Sequence, residues 1–389
     1  MGHDVVIYVA SSGTAGHYDR SHGRAGGAER QMTLLARALV EQRLRVAHVT
    51  YEPRDPVPLS YPLTLVYREP YGGDRRVIGS LLEAAAIWRA ISRASARVVV
   101  VRSASPALGV AALYCRTRRR RLIFSGSNVS DFTMETMPGR LDRALYRAGI
   151  RLADAVVVQS DDQVALARRA FPRIRRLVMI PSLAEPAREH DRHADAEPEA
   201  FLWFGRAVEQ KRPLLYVELA RAVPAARFLM IPVPDGHDPR LLDELRTAAS
   251  QLANLELLEP LPYAELQRLV SGAVAVVNTS YLEGMPNAFL EAWALGVPVL
   301  TFEFDPDGVV EREGLGISAA GRWPRFVRGA EELWSARGDR TDLTRRTREH
   351  VARAHSPESV AARWSQLVRE LDDHVSPVRV AERAADAAP

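Results

Sequence analysis

The chain has 389 residues, 47% hydrophobic and 26% charged, a composition that accommodates two or three cores and excludes disordered and collagen-like chains. Its net charge of +4 hides two opposed halves: residues 1–184 hold 28 Arg against 15 acidic residues, and the remainder holds 24 basic against 33 acidic. That asymmetry points to a first half that meets something anionic, whether nucleic acid, acidic lipid or a phosphorylated ligand; two differently solvated domains are the plainer alternative.

Taken in order, β-branched runs at Val5 to Ala10, Val46 to Thr50, Leu63 to Tyr67, Val98 to Val101, Leu122 to Ser125 and Ala155 to Gln159 alternate with stretches of helical period. The alternation predicts an α/β domain with a largely parallel sheet. A polar, Pro-containing stretch, Glu185 to Glu199, interrupts it. The rhythm then restarts with strands at Phe201 to Phe204, Phe228 to Ile231, Leu255 to Leu258, Ala273 to Asn278 and Pro298 to Phe302. Two doubly wound domains, 1–184 and 195–352, follow from this pattern. A last helix is expected at Pro357 to Leu371, with Val360, Trp364, Leu367 and Leu371 on one face, and then a disordered Ala-rich tail, 372–389.

Apolar runs such as Ala107 to Cys115 fall short of the roughly 18 to 20 residues of a bilayer span, and the N-terminus opens on polar Gly2-His3-Asp4. A leaderless, cytoplasmic protein is expected. The single cysteine, Cys115, excludes internal disulfides, and the ten histidines offer no HExxH or paired spacing beyond His190 and His193, so no metal is expected.

Three constellations carry chemistry. Glu283-Gly284-Met285-Pro286-Asn287-Ala288-Phe289-Leu290-Glu291 follows the strand Ala273 to Asn278 and opens a helix expected from Pro286 to Leu295, closed by Gly296 and Pro298. Ligands of an open parallel sheet bind at the carboxyl ends of its strands, and amides at a helix start suit a phosphate. Glu291 lies one turn after Asn287, so two carboxylates flank one anion site; their natural partners are the vicinal hydroxyls of a ribose and a sugar. Either Glu alone would be explained by the helix macrodipole, but that leaves the Gly-Met-Pro-Asn insert unexplained.

The second constellation, Trp203 to Lys211, places Gly205, Arg206 and Lys211 at another strand end. Of 52 basic residues 51 are arginine, so the one lysine, Lys211, stands against a strong bias, as a requirement for a compact ammonium would produce. Two cations there would neutralise a diphosphate and stabilise the charge that builds on it as a bond to it breaks.

The third is the run Gly13, Gly16, Gly23, Gly26 and Gly27 before a helix expected at Ala28 to Glu41. Glu52 ends the second strand where a dinucleotide fold places its ribose-binding acid. GxGxxG is nevertheless absent, and a loop of some fifteen residues is too long for that motif's tight turn.

These residues resemble the retaining, nucleotide-sugar-dependent enzymes of glycosyltransferase family 4, whose GT-B architecture sets two Rossmann-like domains face to face across a cleft. The resemblance runs to about residue 371. It implies that Glu291 holds the donor ribose and that Glu283 lies by the donor sugar hydroxyls and the reacting centre. It further implies that the loop of Gly284, Met285, Pro286 and Asn287 binds sugar and phosphates through its backbone, that Gly205, Arg206 and Lys211 clamp the diphosphate, and that Gly26 and Gly27 form the lip. Helix 357–371 would cross back onto the first domain. Where the family carries a His-Asp pair, this chain reads Ser125-Gly126-Ser127-Asn128; Asn128 can hydrogen-bond a sugar but cannot act as a base. The family's Asp-Val-Gly-Gly loop is replaced by Glu303-Phe304-Asp305-Pro306-Asp307-Gly308, read as a turn rather than a metal motif.

Arg116 and Arg118 to Arg121 form one basic run, and Arg140, Arg143, Arg147 and Arg151 form a helical stripe. With the apolar segment Pro106 to Tyr114 they point to anionic lipid headgroups and a lipid-linked acceptor, on the domain that binds the acceptor in this fold. A solvated arginine face is the plainer reading; sparse aromatics argue against nucleic acid. The expected activity is therefore retaining sugar transfer from a nucleotide diphosphate sugar to a glycan or lipid-linked hydroxyl, with no cofactor, in cell-surface polysaccharide or glycolipid synthesis. A nucleotide-sugar epimerase and a non-catalytic nucleotide-sugar-binding subunit are the alternatives.

Overall fold

The computed structural model describes residues 2–9, 18, 27–52, 59–68, 77–134, 137, 139–185, 198–234 and 239–373. They divide into two compact units. One runs to Ser182 and resumes at Pro357, and the other spans Leu183–Ser356.

The first unit contains β1 (Val5–Val9), α1 (Gly27–Glu41), β2 (Val46–Tyr51), β3 (Thr64–Arg68), α2 (Val77–Ala94), β4 (Val98–Arg102), α3 (Ala107–Arg118) and β5 (Arg121–Ser125). It continues through α4 (Ser130–Thr133), α5 (Arg140–Leu152), β6 (Ala155–Val158), α6 (Asp161–Ala170) and β7 (Leu177–Met179). The strands form one parallel sheet in the order β3-β2-β1-β4-β5-β6-β7. Every residue of β1, β4 and β6 is buried, which is why these strands read as Val-rich apolar runs, Arg102 at the end of β4 excepted: a parallel strand covered on both faces has no polar side to show.

The second unit contains β8 (Ala200–Arg206), α7 (Pro213–Ala222), β9 (Phe228–Val233), α8 (Pro239–Ala249), β10 (Leu255–Leu257), α9 (Tyr263–Ser271) and β11 (Ala273–Asn278). After them come α10 (Asn287–Leu295), β12 (Val299–Thr301), α11 (Val309–Arg312), β13 (Gly316–Ser318), α12 (Trp323–Ser335) and α13 (Thr341–Ala354). Its sheet is also parallel, ordered β10-β9-β8-β11-β12-β13, with apolar cores on both faces.

The last helix, α14 (Pro357–Asp373), belongs to the first unit. It buries Val360, Trp364, Leu367 and Leu371, packs on α1, and is tied down by Arg369 donating to Gln42 O at 3.0 Å and by the Arg176–Glu370 ion pair. The expected disordered tail therefore starts too early at 372. Asp372 and Asp373 are helical, and Asp372 pairs with Arg97 at 2.8 Å. Residues 374–389 lie outside the described residues, as does most of the Glu185 to Glu199 stretch. Among the described residues no helix is long and apolar enough to cross a membrane.

Candidate functional site

In the second sheet β8 lies between β9 and β11, so the chain leaves β8 towards one edge and fills the other from β11. The carboxyl ends of β8 and β11 therefore flank the point where the winding reverses, the place where open α/β sheets bind ligands. From β8 the chain passes Gly205 and Arg206 into a 3-10 turn, Glu209–Lys211, and then α7, which Pro213 opens. From β11 it passes through residues 279–286 into α10.

These two exits are stitched together side chain by side chain. Lys211 Nζ forms an ion pair with Glu283 Oε1, bringing together two residues 72 apart in sequence. Glu283 is largely buried, with 11% of its side chain exposed, whereas Lys211 keeps 26%. Beside them Gln210 Nε2 donates to Leu282 O, and Tyr281 N donates to Gln210 O at 3.3 Å. Thr279 Oγ1 donates to Lys211 O at 2.5 Å and accepts from Trp203 Nε1 at 3.0 Å, so β8 holds the lysine's own peptide.

Arg212 completes the brace. Its φ of 43° is left-handed, a strained backbone for a side-chain-bearing residue, and it forms the N-cap of α7. Nε donates to Thr279 O at 2.7 Å, an ion pair of 2.7 Å reaches Glu303, and the guanidinium lies 5.1 Å from the Phe302 ring and 5.5 Å from that of Tyr281. Thr279, Arg212 and Gln210 were not singled out from sequence. Arg212 and Gln210 adjoin Lys211, but nothing local marks Thr279 as their partner.

The remaining second-unit residues fall around this brace. Arg206 is exposed at the end of β8, and Gly205 has φ of 157°. Gly284 and Pro286 are buried, Met285 and Asn287 half-buried, and α10 begins one residue later than expected because Pro286, with ψ of 125°, is its N-cap. Pro286 itself has no side chain that can cap that helix start. Glu291, on the first full turn of α10, is half-buried and accepts from Gln267 Nε2 of α9 at 3.4 Å. The Glu303 to Gly308 segment is a turn closed by Asp305, whose carboxylate accepts from Val310 N at 2.9 Å and Glu311 N at 3.3 Å; burial nevertheless pushes it above the usual carboxylate range. Among the described residues there is no group of three or more metal-ligating side chains.

Gly27 and Asn128 belong to the first unit; Gly26 lies outside the described residues with Gly13, Gly16 and Gly23. Asn128 Oδ1 accepts from Ser130 N at 3.1 Å, closing a turn. Asp131 organises the same loop, accepting from Ala104 N at 2.9 Å, Ser127 N at 2.5 Å and Asn128 N at 3.1 Å. Next to it lies a cation that sequence reading missed. Arg102 ends β4 with 4% exposure, donates to Ser125 Oγ at 2.9 Å, and is pushed down by burial to about 10 against the opposing charges of Asp131 and Glu29.

The fold and this geometry define a pair of Rossmann-like α/β domains of GT-B type. Solved structures share it. Sucrose-phosphate synthase from Thermosynechococcus elongatus superposes with a TM-score of 0.74 at 18% identity, covering 94% of this chain and 98% of that one. Anabaena HepE, solved in complex with UDP and glucose, gives 0.69 at 14% identity over 94% and 99%. A curated relative, glycosyltransferase 1 domain-containing protein 1 of Xenopus tropicalis, is 31% identical over 81 residues, 21% of this chain and 24% of that protein, so the chain spans about a quarter of that relative. Residues 26–182 match the model of the glycosyl transferase 4-like domain, and residues 198–335 match that of the glycosyl transferases group 1. One match falls in each unit, so both halves of the chain resemble glycosyltransferase domains, on a fold of GT-B type.

Proposed function

We propose that the protein transfers a sugar, with retention of anomeric configuration, from a nucleotide diphosphate sugar held by the second unit to an acceptor hydroxyl. The observation that carries this reading is the Lys211–Glu283 pair at the reversal point of the sheet, beside the start of α10. Lys211 and Arg206 face the diphosphate, aided by the Gly284 to Asn287 backbone; Glu283 accepts from donor-sugar hydroxyls and Glu291 from the ribose. The UDP and glucose in the HepE complex support a donor of this class.

In the transfer step the bond between the anomeric carbon and the phosphate oxygen breaks, and its electron pair leaves with the diphosphate. The acceptor oxygen bonds to the same face of the carbon, and its proton passes to the departing phosphate oxygen. No carboxylate nucleophile is needed. The protein supplies positioning and fixed positive charge where negative charge develops. Lys211 suits this because Glu283 fixes its ammonium in place before the donor arrives.

The test is to incubate the purified chain with UDP-, GDP- and ADP-sugars, with and without glycan acceptors, and to follow nucleotide release and the anomeric proton of the product. Transfer or slow donor hydrolysis with an axial or equatorial bond matching the donor's is expected, and Lys211→Ala or Arg206→Ala should lower turnover by roughly two to three powers of ten. An isomerised nucleotide sugar without acceptor would show an epimerase instead, and donor binding without turnover a binding subunit.

A further inference from the structure

Five large apolar side chains are exposed among the described residues, and four of them share one layer: Leu81 (66%) and Leu82 (44%) on α2, Leu113 (57%) on α3 and Leu141 (66%) on α5. The three helices form a continuous surface. The Trp88 and Tyr114 rings meet edge to face at 5.2 Å between α2 and α3. Between α3 and α5 two glycines allow backbone contact. A Cβ on Gly109 would lie 2.7 Å from Leu145 O, and one on Gly149 would lie 2.9 Å from Leu108 C. Leu113 sits one turn beyond Gly109 and Leu141 one turn before Leu145, on the solvent side of that crossing.

The same surface is strongly basic. Arg116, Arg118 and Arg119 are exposed at the end of α3, and Arg140, Arg147 and Arg151 are exposed along α5. None of these six joins an ion pair among the described residues. Acids hardly dilute them. α3 has none, α5 has only half-buried Asp142, and the one acid of α2, Glu83, is held by Arg68. On the helical repeat Arg140, Arg147 and Arg151 form one line, with Ala144 and Ala148 beside it and Leu141 on the far side. Basic and aliphatic side chains thus interleave on one face.

We propose that the α2–α3–α5 layer of the first unit docks on an anionic lipid bilayer, its arginines on the headgroups and Leu81, Leu82, Leu113 and Leu141 in the acyl boundary. Charge complementarity selects the occupant. A nucleic acid would satisfy the arginines, but it offers exposed leucines nothing and would call for stacking aromatics, which this face does not expose. A second copy of the same chain would bring like charge against like. The inference does not depend on the sugar-transfer reading.

The experiment is co-sedimentation of the full chain with vesicles of phosphatidylcholine alone and with phosphatidylglycerol added, at low and at 0.5 M salt. Binding to the anionic vesicles only, weakened by salt, is expected. Arg140→Gln/Arg147→Gln/Arg151→Gln should reduce partitioning on the order of a hundredfold, about fivefold for each residue near an anionic surface. Leu113→Asn/Leu141→Asn should reduce it about tenfold or more while leaving all charge in place. Unchanged circular dichroism and thermal midpoints show that the variants fold, as their exposure implies. Equal binding to neutral vesicles, indifference to the leucine variant, binding to duplex RNA but not vesicles, or a dimer that the leucine variant dissociates would each overturn the proposal.

Discussion

Replacing Lys211 by Met removes the cation facing Glu283 and leaves the backbone bonds around it intact. Gln210 still reaches Leu282 O, Arg212 still reaches Thr279 O, and Thr279 still reaches residue 211's carbonyl. The cost is set by what is stranded. Glu283 has 11% of its side chain exposed and must hold its charge without the ammonium, whereas Glu283→Gln leaves a lysine with 26% exposure that can turn to water. A fully buried pair broken on one side costs about 3–5 kcal/mol and an exposed one about 0–1, so this pair falls between them. We expect about 2 kcal/mol for Lys211→Met, about 1 for Glu283→Gln, and a double variant less destabilised than their sum by about 1–2 kcal/mol. Calorimetric unfolding of wild type and the three variants, without nucleotide, measures the coupling. Additivity within about 0.3 kcal/mol would show that the pair contributes nothing to the folded state and refute the view of a lysine preset by Glu283.

Gly296 closes α10 at φ 85°, and a Cβ there would lie 2.7 Å from Thr344 Cγ2 and 2.9 Å from Arg348 Nε of α13. Gly296→Ala should destabilise the second unit by about 1–3 kcal/mol in urea unfolding. Acid should also weaken that unit. Burial holds His350 below 6.5 although its Nδ1–H donates to Glu313 at 2.6 Å; burial pushes Glu313 up, but His350 and Arg353 outweigh it and hold it below 4.5. Below pH 6.5 the unfolded chain takes up a proton that folded His350 refuses, so stability falls with pH down to the folded value, at about 1.4 kcal/mol per unit at most. Glu313 adds a loss in the same direction below 4.5. Calorimetric midpoints from pH 8 to 5 check the first effect. His350→Gln should flatten the slope, and a wild-type slope in that variant would contradict the assignment.

The alternation of Val-rich runs and amphipathic stretches was legible because burial on both faces leaves a parallel strand no polar position, and β1, β4 and β11 lie where their runs predict. β7 and β13 were missed for the converse reason. Each has three residues at a sheet edge, and Leu177–Met179 and Gly316–Ser318 carry no run long enough to show a period. The apolar run Val98 to Val101 stops short of Arg102, whose charge breaks the pattern; the structure extends β4 through it and buries it. At the site, the composition made Lys211 conspicuous and the glutamate spacing marked Glu283 and Glu291. What no local pattern revealed was that Lys211 answers to Glu283 across 72 residues, or that Trp203, Thr279 and Arg212 hold the two loops in register.

Grip on a nucleoside diphosphate is the claim on which the functional reading rests, and calorimetric titration tests it without requiring the acceptor. UDP, GDP and ADP would each be titrated into the wild-type chain, Arg206→Ala and Lys211→Ala. At least one should bind the wild type, and each variant should bind it about tenfold or more weakly, as loss of a charged hydrogen bond dictates. No binding by any of the three, or equal affinity in both variants, would contradict the reading.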